Sequence, residues 1–196
     1  GTPQQIYDKV KQAYARRFNL DVGPPLGFDN SFAIVVRGED AKRLNLHTIS
    51  QAAAYTPQWR PGFGYEFMER PDGYQGLVKT YGLRFASPPR IMDLGLLYRA
   101  LQSHQVDLVA GNTTDGQIEA LRFTILQDDR HYFPPYQAVG VVRMAAEKLH
   151  PEIRAALDQL AGKISAAEMR RMNYAVDGEH RDVQVVVQEF LKSKGL

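Results

Sequence analysis

Apolar residues recur along this chain in two rhythms, and each rhythm predicts an element. Ile6, Val10 and Tyr14 stand four apart and predict a helix face. Thr2 suits its N-cap, Pro3 its first position and Gln5 the return bond of a capping box, with Phe18-Asn19 at its end. "DVGPPLGFDN" reads as a loop, because Gly-Pro-Pro cannot continue a helix. "SFAIVVR" is a nearly continuous apolar run and predicts a strand buried on both faces. "GEDAKRLNLHTISQAAAY" reads as a short helix, a turn and a second helix capped by Thr48 or Ser50. "TPQWRPGFGYEFMERPDGYQG" is dense in Pro, Gly and aromatics and reads as a structured loop. Asp72 is placed to cap "GYQGLVKTY", with Gly82 just past its end.

The second half follows the same grammar. "RFASPPRIMD" allows a short strand, and Asp93 begins a helix with Leu94, Leu97, Tyr98 and Leu101 on one face. "VDLVA" reads as a strand running into the polar segment "NTTDG". A helical turn near "DGQIEAL", a strand "RFTILQDD", a loop "RHYFPPYQ" and a strand "AVGVVR" come next. Three helices finish the pattern: "PEIRAALDQLAG", then "SAAEMRRMNYAVD" with a Ser165/Glu168 capping box, then one from Asp182 with Val183, Val186, Val187, Phe190 and Leu191 in a stripe and Gly195 at its end. Strands alternating with helices predict an α/β fold with a largely parallel sheet. Ligands of such sheets sit beyond the carboxyl ends of strands, where "NTTDG" falls.

Composition then removes whole classes of function. A formal net charge of +2 over 196 residues, without a basic stripe, argues against nucleic-acid binding. The sequence has no Cys, which excludes thiol catalysis, disulfides and Cys-ligated metal. Its five His residues show no metal-binding spacing, so no metal or other cofactor is expected. Neither a phosphate-binding Gly loop nor a nucleophile elbow occurs. Asp128 and Asp129 are adjacent, and neighbours on a strand point to opposite faces, so they do not converge for acid–base work. Binding fits better than catalysis. Phe28, Phe32, Phe63, Tyr65, Phe67, Tyr132, Phe133 and Tyr136 cluster in predicted loops, where they suit either packing or enclosure of a cation. Arg70 suits a bidentate grip on a carboxylate.

Five segments in order carry a resemblance: "LGFDNSFAIVVR", "EFMERPDGYQGLVKTYGL", "VDLVAGNTTDGQI", "LQDDRHYFPPYQAVGVVR" and "LAGKISAAEMRRMNYAVD". Together they resemble the substrate-binding proteins and domains of osmoprotectant ABC importers, the glycine betaine, carnitine and choline family. The resemblance implies a periplasmic-binding-protein-like fold of type II, with two lobes joined by two crossovers and the first lobe incomplete because the family usually begins earlier. Residues 1–32 and 144–196 would belong to the first lobe. Residues 33–143 would form the second lobe, with crossovers near Ala33–Arg37 and Ala138–Arg143. The implied function is capture of a small zwitterionic or quaternary-ammonium solute and its delivery to ABC permease subunits. A ligand-sensing or assembly domain on the same fold is the alternative, and no enzymatic activity is implied. The implied location is periplasmic or extracytoplasmic, anchored to a membrane or fused to a permease.

The resemblance also nominates ligand-binding positions. Asn30 and Phe32 match the family's "FNNTY" segment, with Phe32 where Tyr is common. Tyr65 occupies a loop position that often faces the ligand. Arg70 lies in "RPDG", either facing ligand or holding Asp72 or a loop carbonyl. Asn112 stands where betaine and choline binders often have an aromatic. Thr113, Thr114 and Asp115 match "TTDG", and Tyr136 belongs to "PPY". The changes at 32 and 112 weaken an aromatic cage, so a more polar zwitterion such as ergothioneine or an amino-acid derivative enters the expected range.

Overall fold

Local capping chemistry accounts for the first element. In a computed structural model that describes residues 2–196, α1 (Pro3–Phe18) opens on the expected box. The Gln5 backbone N–H donates to Thr2 Oγ1, the Thr2 N–H donates back to Gln5 Oε1, and Asn19 closes the helix in the left-handed region. The chain forms two compact units. One holds the chain up to Asn30 together with Pro135–Leu196, and the other is Ser31–Pro134.

The first unit is built on two antiparallel strands, β1 (Leu20–Asp29) and, late in the chain, Gln137–Arg143. "DVGPPLGFDN" is therefore strand, not loop. Its register with the second strand breaks on both sides of Pro25, and such irregularities are where a sheet tolerates Pro. The N–H groups of Gly162 and Ile164 donate to the Pro25 and Leu26 carbonyls.

In the second unit the chain runs through β2 (Phe32–Arg37), α2 (Gly38–Leu44), α3 (Ile49–Ala52), a 3-10 turn (Thr56–Gln58), β3 (Pro61–Phe63), α4 (Tyr65–Glu69), α5 (Tyr74–Tyr81), β4 (Arg90–Ile91), α6 (Leu94–Gln102), β5 (Leu108–Asn112), α7 (Gly116–Ala120) and β6 (Phe123–Leu126). The strand and helix at 61–69 replace the expected loop. Thr48 caps α3 with a full box, and Gly82 ends α5 at φ 66°. Asp72 does not cap α5, since Gly73 is its N-cap. Asp93 precedes α6 without a side-chain cap bond, and Leu94 is exposed rather than packed.

The sheet order is β4-β3-β5-β2-β6. β3 is parallel to β4 and β5, while β2 is antiparallel to both β5 and β6. The sheet is thus mixed, with β2 running against its neighbours. Hydrophobic patterning reports that both faces are covered but does not encode direction, which is why the largely parallel expectation fails at β2. Alternation splits the core in two. Ile34, Val36, Leu108 and Ala110 meet Phe63, Phe67 and Leu77 on one face, and Ala33, Val35 and Val109 meet Leu97, Tyr98 and Leu101 on the other.

Arg37 ends β2 and is buried. Its Nε donates to Asp40 at 2.7 Å, Nη1 to the Leu101 and Val106 carbonyls, and Nη2 to Asp107 at 2.9 Å. Arg60 grips the other side of Asp107. Burial raises the Asp107 carboxyl, but its hydrogen bonds to Arg60 and Arg37 outweigh that and hold it below the usual range.

The chain returns to the first unit through β7 (Gln137–Arg143), α8 (Met144–Leu149), α9 (Pro151–Asp158), α10 (Ala166–Asp177) and α11 (Val183–Ser193). α8 is an additional helix that the sequence pattern does not announce. The family resemblance puts the crossovers near Ala33–Arg37 and Ala138–Arg143. In the structure all of the first segment lies in the Ser31–Pro134 unit and the second pairs with β1 in the other. Long-range register sets that membership.

Candidate functional site

Strand direction gathers the candidate residues of the Ser31–Pro134 unit at one end of its sheet. β2 starts there, and β3, β5 and β6 finish there, because Phe32 faces Asn112 and Ile34 faces both Ala110 and Leu126. Past Asn112 the chain turns sharply. The Asp115 N–H donates to the Asn112 carbonyl at 3.1 Å, and the Thr113 N–H donates to the Ser31 carbonyl at 3.0 Å. Thr114 is buried, whereas Asn112, Thr113 and Asp115 are half-buried.

Asp115 sits at the N-cap of α7, yet its side chain makes no cap bond there. Its Oδ2 accepts the Asn112 N–H at 2.9 Å and the Tyr98 hydroxyl at 2.7 Å. Burial, then the negative charge of Asp115, pushes the Tyr98 phenol well above its ordinary value, so it stays protonated and donating.

Phe32 begins β2 half-buried, with its ring edge-on to Phe67 at 4.9 Å and tilted against Phe133 at 6.1 Å. The Arg70 guanidinium lies 5.4 Å from its ring centroid. That guanidinium is itself held, with Nε and Nη2 each donating to one Asp72 oxygen at 2.8 Å and Nη1 donating to Glu66 at 3.2 Å. Hydrogen bonding from Arg70 outweighs burial and keeps the Asp72 carboxyl below its usual range. Of the two roles open to Arg70, the structure displays the grip on Asp72, and this engagement takes Asp72 away from α5.

Tyr65, the first residue of α4, is 60% exposed at the same end of the sheet. Asp128 organises the loop after β6. Its oxygens accept the Tyr132 and Phe133 N–H groups at 3.0 and 2.8 Å and the Tyr81 hydroxyl. Asp129 instead accepts the Ser50 N–H at 3.1 Å, so the two carboxylates serve different segments. Phe63, Phe67, Tyr132 and Phe133 pack on one another or on the core.

Asn30 and Tyr136 belong to the other unit, where they are neighbours. The Asn30 N–H donates to the Tyr136 carbonyl and the Tyr136 N–H to Asp29 Oδ1, both at 3.0 Å, while the Tyr136 ring is exposed. The sequence reading misses Tyr98, Tyr81 and Asp128 as organisers of these loops. A signal was present for Tyr98: a tyrosine on a buried helix stripe needs a partner for its hydroxyl. Among the described residues, no three His, Asp or Glu side chains group as metal ligands. No helix there is long and apolar enough to cross a membrane.

A family model described as the substrate binding domain of ABC-type glycine betaine transport system matches residues 2–193. The carnitine transport binding protein OpuCC of Listeria monocytogenes is 35% identical over 193 residues, covering 97% of this chain and 62% of its own length. The ergothioneine transport permease/ergothioneine binding protein EgtU of Helicobacter pylori is 34% identical over 195 residues, covering 100% of this chain and 35% of its own length. This chain thus spans less than two thirds of either relative. The crystal structure of a glycine betaine/carnitine/choline ABC transporter superposes with a TM-score of 0.91 at 37% identity, over 98% of this chain and 70% of that one. The α/β fold is accordingly of the type II periplasmic-binding-protein class. The chain belongs to the family of substrate-binding domains of ABC-type glycine betaine transport systems.

Proposed function

We propose that this chain is the solute-binding part of an ABC importer, capturing a small zwitterionic or quaternary-ammonium compatible solute and delivering it to membrane permease subunits. It acts on the extracytoplasmic side, free, anchored to the membrane or fused to its permease. The observation that carries this reading is the family match across 2–193, combined with a built polar turn at the carboxyl end of β5. Asn112, Thr113 and Thr114 supply polar groups to the ligand, and Tyr65 offers an exposed aromatic face. Phe32 and Arg70 stand behind them as a pair. With a guanidinium already over the Phe32 ring, that face is not open to the ligand's cation. The contribution of this unit is therefore weighted toward hydrogen bonds. That favours solutes with a carboxylate and a further polar group, as in carnitine or ergothioneine, over choline.

Isothermal titration calorimetry of the full chain with glycine betaine, choline, carnitine and ergothioneine tests this. Saturable binding is expected, tighter for carnitine or ergothioneine than for choline. Thr113→Val should weaken it by roughly tenfold, the loss of about one hydrogen bond. Absence of saturable heat with all of these solutes would overturn the reading.

A further inference from the structure

Tyr98 lies on α6, away from the turn in sequence, but its hydroxyl reaches the turn along the face of the sheet that α6 covers. We propose that Tyr98 is a positioning residue of the ligand site, acting through Asp115 to set the backbone of the Asn112–Thr114 turn. This rests on the reading that the turn meets the ligand.

Independent features of the structure converge on it. First, one carboxylate oxygen, Asp115 Oδ2, accepts both the Tyr98 hydroxyl at 2.7 Å and the Asn112 N–H at 2.9 Å. The last residue of β5 and the first residue of α7's cap are thereby tied to a rigid helix. Second, Asp115 gives up the usual use of an N-cap carboxylate, since its side chain makes no bond to the helix it precedes. Third, β5 leaves room for the hydroxyl. A Cβ on Gly111 would collide with the Tyr98 hydroxyl oxygen and crowd Asp115 Oδ2 at 2.9 Å. Any other residue at 111 displaces the bond. Fourth, the ring is fixed from behind. Tyr98 is 5% exposed and stacks on Phe123 of β6 with ring centroids 6.1 Å apart.

The sharing of a single oxygen makes a specific demand. The turn needs an acceptor at the Oδ2 position, and an amide oxygen can fill it as well as a carboxylate oxygen can. Asp115 therefore works by holding the turn, rather than by presenting its charge to the cationic end of the ligand.

The experiment uses the full chain with carnitine, glycine betaine and ergothioneine as probes. Calorimetric affinity is measured beside the exchange rate of the Asn112 amide in the ligand-free protein. Tyr98→Phe, which keeps the ring and removes only the hydroxyl, should weaken binding by roughly ten- to a hundredfold and speed Asn112 exchange. Asp115→Ala should do the same, while Asp115→Asn should recover most of the affinity that Asp115→Ala loses. Equal losses in Asp115→Asn and Asp115→Ala would overturn the proposal, because charge and not turn geometry would then be what matters. So would a Tyr98→Phe protein that is less stable to heat yet binds as the wild type does. If the wild type binds none of the probes, the proposed function falls. The clamp is then judged by Asn112 exchange alone: faster exchange in Tyr98→Phe upholds it, and unchanged exchange refutes it.

Discussion

In the Ser31–Pro134 unit, β2 and β5 bury Ile34, Val35, Val36, Leu108 and Val109 completely, between helices on both faces of the sheet. In the other unit, β1 and β7 bury Val22, Gly23 and Val142, and no described residue of α1 is buried. Val10, Phe18, Val141, Val183 and Val187 there remain exposed. The two units are ordered by different means. The Ser31–Pro134 unit rests on a two-sided apolar core locked by the buried Arg37. The other unit rests on local devices: the caps of α1, α10 and α11, and Arg154 bonded to Asp21 and Asp158. Buried strands exchange only on large-scale unfolding, whereas segments with little burial open locally. The polar turn that we assign to ligand therefore stands on the more cooperative of the two, which suits a site needing fixed geometry.

The largest test of this contrast is Arg37→Ala. It strips Asp107 and Asp40 of a buried partner and leaves the Leu101 and Val106 carbonyls without their donor. The expected loss is about 3–5 kcal/mol, seen in urea unfolding and as faster amide exchange in β2 and β5. Exchange in those strands as slow as in the wild type would show that apolar burial alone holds the unit. Acid probes the same network more gently. The Asp40 and Asp107 carboxyls both sit below the ordinary value of 3.8, because their hydrogen bonds to arginine overcome the effect of burial. As pH falls through 3.8 the unfolded chain takes up protons first, and the native carboxylates follow only lower. Their contribution is complete above that pH and is lost below it. The urea midpoint followed through β2 and β5 should thus decline below pH 3.8, less steeply in Asp107→Asn, which has one such group fewer. Identical slopes would remove Asp107 from the account.

What could be read from the sequence tracks how local each interaction is. The boxes at Thr2 and Ser165, the cap of α3, open between Thr48 and Ser50 and found at Thr48, and the left-handed end of α5 at Gly82 are all written within a few residues of themselves. The twice-covered β2 is legible because burial on both faces needs an unbroken apolar run. β1 is not, since its ladder depends on β7 far along the chain and its prolines sit at breaks in register. The polar turn after β5 is legible as a place, but the job of Asp115 is not. Its partner Tyr98 lies on another element, and nothing in the spacing of 98 and 115 announces the bond. The same holds for Phe32, whose open face looks available in sequence and is covered by Arg70 in space.

The smallest expected effect tests the other side of the comparison. Ser165 caps α10 by accepting the Glu168 N–H at 3.2 Å, and Glu168 Oε2 accepts the Ser165 N–H at 2.9 Å in return. Glu168 Oε1 also meets Lys194, beyond the end of α11, at 2.6 Å, and the hydrogen bond from that ammonium holds the Glu168 carboxyl down to about 2. One short segment thus joins two helices that have only Ala175 and Val186 buried between them. Ser165→Ala removes one side of the box and should cost about 1 kcal/mol. If local devices order this unit, the loss should appear as faster amide exchange across α10 and α11, with β2 and β5 unchanged. If instead the unit owes its order to a cooperative core, the same substitution should speed exchange of those helices and of its sheet together, by the same factor. The contrast between the two units would then be one of degree only.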